Sequence, residues 1–155
     1  MLENNKKMCA FYASDYHFEM IILPYLNKKI EENNNVVIFT ENNLNDTVNV
    51  LMSKMNFEED RKNKILKLDW KNDDLEKFEE LKNYEKDSND TVVFIKGTEN
   101  YIKNVNNNIN ENSKKSKFKI IDCYSVDDIK EDISQIANNY QTILNTMGES
   151  KIDRK

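Results

Sequence analysis

Short apolar runs alternate along this chain with longer segments of helical period. The runs are residues 8–13, 36–40, 65–70, 91–95 and 118–124. Each is rich in β-branched and aromatic residues and is bounded by Asn, Asp, Ser or Gly, which is the composition of strands. Residues 36–40 and 91–95 are almost continuously apolar, as strands covered on both faces of a parallel sheet are. Between the runs, Phe18, Ile21, Ile22, Tyr25, Leu26 and Ile30 recur at three- and four-residue steps, and so do Leu44, Val48, Leu51, Met52 and Met55. Leu75, Phe78 and Leu81 make a shorter third stripe, and Tyr101, Ile102, Val105 and Ile109 a fourth. Ile129, Ile133, Ile136, Ala137, Tyr140, Leu144 and Met147 make the fifth and longest. These are the inward faces of helices. Asp73 followed by Glu76 reads as an N-cap with its reciprocal carboxylate. Thr98 and Ser125 suit the N-caps of the fourth and fifth helices, and Gly148 fits just past the end of the fifth.

Strand followed by helix, five times over, predicts parallel strands joined by right-handed crossovers. The expected fold is therefore α/β, a three-layer αβα sandwich with a mainly parallel five-stranded sheet. Flavodoxin-like and RecA-like strand orders both satisfy the pattern. Pro24 falls inside the first helical stripe and is expected to kink that helix or to mark where two pieces meet. The charged stretch 56–63 is expected to add a helical turn before the third strand. Residues 1–150 read as one α/β domain and 151–155 as a frayed tail. The apolar face of the fifth helix, with Tyr140, Ile143, Leu144 and Met147, is wider than one sheet contact needs, which implies a contact with a second copy of the chain.

Composition narrows the function classes. The chain has 155 residues and a formal charge of -5. Nucleic-acid binders usually present a basic face, and the one basic run, Lys114, Lys115, Lys117 and Lys119, is short, so no nucleic-acid partner is expected. The abundance of Asn, with triplets at 33–35 and 106–108, interrupts no apolar periodicity and reads as compositional bias. Cys9 and Cys123 lie inside apolar runs and read as buried free thiols of a reducing compartment. No signal peptide and no apolar stretch of about eighteen residues occurs, so a cytoplasmic protein is expected, with no membrane partner.

In open parallel sheets, ligands bind beyond the carboxyl ends of the strands. Five loops matter on that rule: 14–17, 41–43, 71–73, 96–98 and 125–127. The chain has two glycines, Gly97 and Gly148. A P-loop and a dinucleotide-binding turn each need several glycines after the first strand, so that backbone N–H groups can approach phosphates. The first loop here is Ser14-Asp15-Tyr16-His17. It offers an anion a helix N-terminus, but Asp15 repels negative charge there. No cofactor is expected. Nor is a metal, since two separated cysteines and the single His17 show no ligand spacing. Asp69 stands late in the third run, where receiver domains carry a phosphorylated aspartate. The acidic pair and the lysine that such a site needs are missing, so Asp69 reads as the start of a turn. Asp127, Asp128, Glu131 and Asp132 read as complements to the dipole of the fifth helix. Tyr12, Ser14, Asp15, Tyr16, His17, Thr40, Glu41, Trp70, Thr98 and Tyr124 gather at or near the strand ends and are the candidate ligand-contacting residues. No catalytic set is assigned.

The segments Cys9-Ala10-Phe11-Tyr12, Ile22-Leu23-Pro24-Tyr25-Leu26, Val36-Val37-Ile38-Phe39-Thr40 and Ile65-Leu66-Lys67-Leu68-Asp69-Trp70 together resemble the MEDS sensory domain of bacterial and archaeal regulators. The resemblance covers the first seventy residues or so. It implies a RecA- or KaiC-type fold without the ATP loop, and a role in signalling. Where the family has a glycine-containing turn before its second strand, this chain has Glu31-Glu32-Asn33-Asn34-Asn35. The resemblance supplies no ligand residues. Family members are normally fused to an output domain, so this chain would act alone or through a signalling partner. Three readings remain open. A sensory domain predicts a modest pocket at the strand ends, and an enzyme predicts that Ser14, Asp15, His17 and Thr98 converge in a cleft. A pure protein-interaction module predicts an exposed apolar patch instead.

Overall fold

The computed structural model describes residues 6–112, 118–129 and 132–151. The run 91–97 sets the architecture. As strand β3 (Thr91–Gly97) it is buried at every position, which requires neighbours on both edges and cover on both faces. The neighbours are β2 (Asn35–Thr40) and β4 (Phe118–Ser125), both parallel to it. On the far side of β4 lies β1 (Lys6–Tyr12), also parallel, and then β5 (Thr142–Asn145). A last strand, β6 (Gly148–Lys151), pairs antiparallel with β5. The sheet is therefore six-stranded, in the order β2-β3-β4-β1-β5-β6, one strand more than expected. In a flavodoxin-like sheet the first strand stands between the second and the third. Here β1 stands between β4 and β5, which removes that alternative.

Alternation along the strands feeds two cores. Met8, Ala10 and Tyr12 join Val36, Ile38, Val92 and Phe94 on one face, beneath α1 (Asp15–Glu31), α2 (Asn45–Met52) and α3 (Glu59–Leu66). Cys9, Val37, Phe39, Val93 and Ile95 join the other, beneath α4 (Asp74–Tyr84), α5 (Glu99–Asn112) and the short α6 (Ile133–Ala137). Helix α1 continues through Pro24 as one element. It ends where Asn33 takes φ 65° and the amide of Asn34 donates to Lys29 O at 3.0 Å. Asn tolerates this left-handed conformation better than other non-glycine residues, so the turn works without the glycine of the resembling family. Among the described residues, no helix is long and apolar enough to cross a membrane.

Four expectations need correction. Residues 65–70 are not a strand. The charged stretch before them nucleates α3, whose first turn carries Glu59 and Asp60 and whose last carries Lys64, matching the helix dipole. The helix takes up Ile65 and Leu66, and Asp69 begins a turn by accepting the amide of Lys71 at 3.0 Å. A short apolar run does not by itself distinguish strand from helix. Second, the long fifth helix does not form. After α6, capped by Asp132 and Gln135 in a reciprocal box, the chain turns at Asn138 and Asn139 and builds the β5–β6 hairpin. Gly148 is its turn glycine, at φ 104°. Ser125 ends β4 rather than capping a helix, and the wide helical face inferred for a second copy does not exist. Third, Leu75 is 81% exposed, while Lys77 is buried beside Leu81. Phe78 and Leu81 keep the expected stripe, and its first member, Leu75, leaves it. The Lys77 stem packs inward, and its ammonium donates to the carbonyl of Lys71. Fourth, Asp73 precedes α4 but makes no side-chain cap, whereas Thr98 does cap α5, its Oγ1 accepting from the Tyr101 amide at 3.3 Å. Of the expected tail, Lys151 pairs in β6. Residues 152–155, Lys114, Lys115, Lys117 and Glu131 lie outside the described residues.

Candidate functional site

Adjacent strands β1 and β4 send their following connections to opposite faces of the sheet, so their carboxyl ends open a crevice of the kind in which open α/β sheets bind ligands. A cleft of about 250 Å³ lies there, lined by Tyr12, Ser14, Asp15, Glu41, Asn42, Lys96, Gly97, Ser125 and Asp128. Ser14 terminates the extended chain and caps α1, its Oγ accepting from the His17 amide at 3.1 Å. That places Asp15 at the first turn, facing the end of β3.

Lys96 is the centre of the arrangement. It is 3% exposed, and its Nζ lies 2.8 Å from Asp15 Oδ1 and 3.0 Å from Asn42 Oδ1. Asn42 in turn donates from Nδ2 to Asp15 Oδ2 at 3.2 Å, closing a triangle. The ammonium also stands 4.9 Å from the Tyr12 ring centre and 5.3 Å from that of Phe18, within cation–π range. Asn42 is fixed from behind by Thr40, whose Oγ1 donates to Asn42 O at 2.8 Å. On the far wall, Glu41 folds over Gly97 and accepts the Thr98 amide at 2.6 Å, at the N-terminus of α5. The cleft thus holds one ammonium against three carboxylates, those of Asp15, Glu41 and Asp128. Burial raises the Tyr12 phenol above its ordinary value, with Cys123, Asp15, Asp128 and Glu41 adding to the shift, so Tyr12 lines the cleft as a neutral donor.

The structure brings Tyr12, Ser14, Asp15 and Glu41 together at this cleft, with Thr40 and Thr98 behind its walls. It separates the others. The ring of His17 turns back on its own loop, where Nδ1 accepts the Ala13 amide at 2.9 Å. Tyr16 is 61% exposed and faces a different cleft, between α1 and α2. Trp70 is core. Its indole N–H donates to Ile65 O at 2.9 Å, and its own carbonyl accepts the Leu44 amide at 2.9 Å, so it ties α3 to α2. Tyr124 stacks on Phe11 and shares a 2.7 Å hydroxyl contact with Tyr140. Tyr140 donates to Asp122, whose carboxylate also receives Asn106 Nδ2 at 2.9 Å and Lys7 Nζ at 3.1 Å. This buried network stands on the opposite face of the sheet.

Asn42, Lys96, Ser125 and Asp128 line the cleft without belonging to the ligand-contacting set that the sequence predicts. Three of the four fall in strand-end loops that the sequence marks, and Lys96, a cation ending an otherwise apolar strand, was the available signal. Burial, with Asp122 beside it, pushes the Cys9 thiol up to about 12, and burial raises Cys123 as well, so both stay thiols rather than nucleophilic thiolates. Among the described residues, no cluster of three or more His, Cys, Asp or Glu side chains suits a metal ion.

No family model, no curated protein and no solved structure matches the chain.

Proposed function

We propose that this chain is a non-catalytic sensory domain of a bacterial or archaeal signalling pathway, which takes a small polar molecule into the strand-end cleft. The observation that carries the reading is Lys96, a cation buried at the carboxyl end of β3 and held between Asp15 and Asn42. Removing an ammonium from water costs several kcal/mol, which packing alone does not require. An apolar residue there would complete the same core. A fixed charge at the crevice of an open sheet suits ligand recognition. Because carboxylates and amide oxygens outnumber cations around the cleft, the favoured ligand is rich in donors, an amine or a polyol rather than a phosphate. The reading is non-catalytic because His17 is engaged in its own loop and both thiols are held protonated. The resemblance to the MEDS domain points the same way.

The test is a thermal-shift screen of the protein against amines, polyols, sugars and nucleotides, with Asp15→Asn and Lys96→Met alongside. A ligand at a hundredfold its Kd stabilises the folded state by about 2.7 kcal/mol. At 2–4 °C per kcal/mol for a domain of this size, that is a rise of roughly 5–11 °C. The rise is expected from a donor-rich ligand and is expected to vanish in both variants. A flat response over the whole panel would overturn the reading and favour a protein partner instead.

A further inference from the structure

A second cleft, of about 260 Å³, opens between α1 and α2, away from the strand ends. Its walls are the ring of Tyr16, the side chains of Val50 and Leu51 and the stem of Lys54. Tyr16 and Val50 stay 61% and 56% exposed at its mouth, apolar surface that no other part of the described chain covers. Glu19, which is 1% exposed, also lines it. Among the described residues Glu19 has no ion pair, and its hydrogen-bond partner is the hydroxyl of Thr47, at 2.6 Å from Oε2. That hydroxyl also lies 3.1 Å from the carbonyl of Leu44. A hydroxyl carries one proton and cannot serve both acceptors fully. Glu19 therefore faces the cleft short of donors, and a buried carboxylate without a cation is costly.

The geometry points to a binding site for a small primary amine with an apolar body, its ammonium on Glu19 and its body against Tyr16, Val50 and Leu51. The charge balance favours a cation. Among the lining residues two carboxyl groups, those of Glu19 and Asp46, stand against one cation, Lys54, and beyond the lining Lys96 and Asp15 act on Glu19 with opposite signs. The volume, about 260 Å³, falls just below the usual range of ligand pockets, roughly 300 to 1,000 Å³, and suits a body no larger than one aromatic ring. An ammonium supplies up to three donors to a carboxylate that has a fraction of one. The strand-end cleft shares no lining residue with this one, although its Asp15 and Lys96 act on Glu19 with opposite signs, so the assignment does not rest on the function proposed above.

Calorimetric titration with phenethylamine, and with phenethyl alcohol as its uncharged counterpart, tests the assignment on the full chain. Phenethylamine is expected to bind at least tenfold more tightly than the alcohol. Glu19→Gln, which keeps an oxygen for the Thr47 hydroxyl, is expected to remove that preference. Val50→Trp changes an exposed position and fills the mouth of the cleft, and it is expected to abolish binding of both probes. Asp128→Asn, which alters the strand-end cleft and is not among the groups acting on Glu19, is expected to leave phenethylamine binding unchanged, which separates this site from the strand-end cleft. Equal binding of the two probes, no binding of either, or a preference that survives in Glu19→Gln would each overturn the assignment.

Discussion

Asp122→Asn is expected to destabilise the protein by about 3 kcal/mol. The carboxylate of Asp122 is fully buried in the middle of β4. Its Oδ1 accepts from Asn106, and its Oδ2 takes the Tyr140 hydroxyl and the Lys7 ammonium. All three partners are donors. An asparagine keeps one acceptor and turns an N–H₂ toward whichever partner faces the other side. Asn106 cannot flip to receive it without setting its own oxygen against the Ile102 carbonyl, to which it now donates at 3.0 Å. Breaking one side of a buried charged pair costs about 3–5 kcal/mol. The low end applies here, because the Lys7 side chain is 39% exposed and keeps part of its hydration. With 2–4 °C per kcal/mol, the fall in Tm is roughly 6–12 °C. Urea and thermal unfolding followed by circular dichroism measure it. Tyr140→Phe alone should cost about 1.5–3 kcal/mol, the range for a hydrogen bond to a charged group. The double variant should cost less than the two singles together by about 1 kcal/mol or more, since the residues share one network. A loss under about 1 kcal/mol for Asp122→Asn, or additive losses in the cycle, would refute the view of this network as one coupled unit.

Two further outcomes follow from other sites. Burial holds the Glu19 carboxyl above its ordinary value of 4.5; Asp15 adds to the shift, while the Thr47 hydroxyl and the Lys96 ammonium oppose it. A folded-state pKa above the unfolded one means that the native protein holds this proton more tightly, so the group's support for folding is complete below the unfolded pKa and is lost as pH rises through the raised one. Glu19→Gln should therefore melt above the parent at pH 7, with the gap shrinking toward pH 4, and a gap that widens on acidification would contradict the assignment. Gly97→Ala would set a methyl 2.5 Å from Glu41 Oε1 and 2.6 Å from Tyr101 Cδ2. It should cost about 1–3 kcal/mol as overpacking, read by urea unfolding, and no change in midpoint would show that Glu41 and Tyr101 yield freely.

The parts of the fold legible in the sequence are those where pattern and burial agree. Strand β3 and its neighbour β2 read as continuous apolar runs because both faces of the sheet are covered, and α1 reads as a helix because its stripe is long. The misreadings share a cause. Leu66 and Leu68 look like strand residues, yet the charged segment before them already commits the chain to α3, and the Trp70 indole completes that helix's end. Tyr140 and Leu144 fall at helical spacing, yet each is buried for a different reason, one in the Asp122 network and the other in a strand. Gly148 was legible as a residue needing positive φ, but a helix end and a hairpin turn both ask for that. The cleft was half legible. The crevice rule places the loops, and Ser14, Asp15 and Glu41 fall where it says. Lys96 was hidden because a lysine at a strand end ordinarily reaches solvent, and only the tertiary placement of Asp15 and Asn42 turns it inward.

The position of β1 has a consequence for synthesis. Its partners are residues 119–125 of β4 and residues 142–143 of β5, which leave the ribosome long after it. At about 5–20 residues per second, the interval is on the order of 5–20 s. For that time Met8 to Tyr12, destined for the interior of the sheet, has no strand to pair with. Helix α1 and the β2–β3 pair can form meanwhile, but the sheet waits for its centre. Folding of this sheet therefore closes on β1, and the segment most in need of a chaperone during that wait is β1 itself.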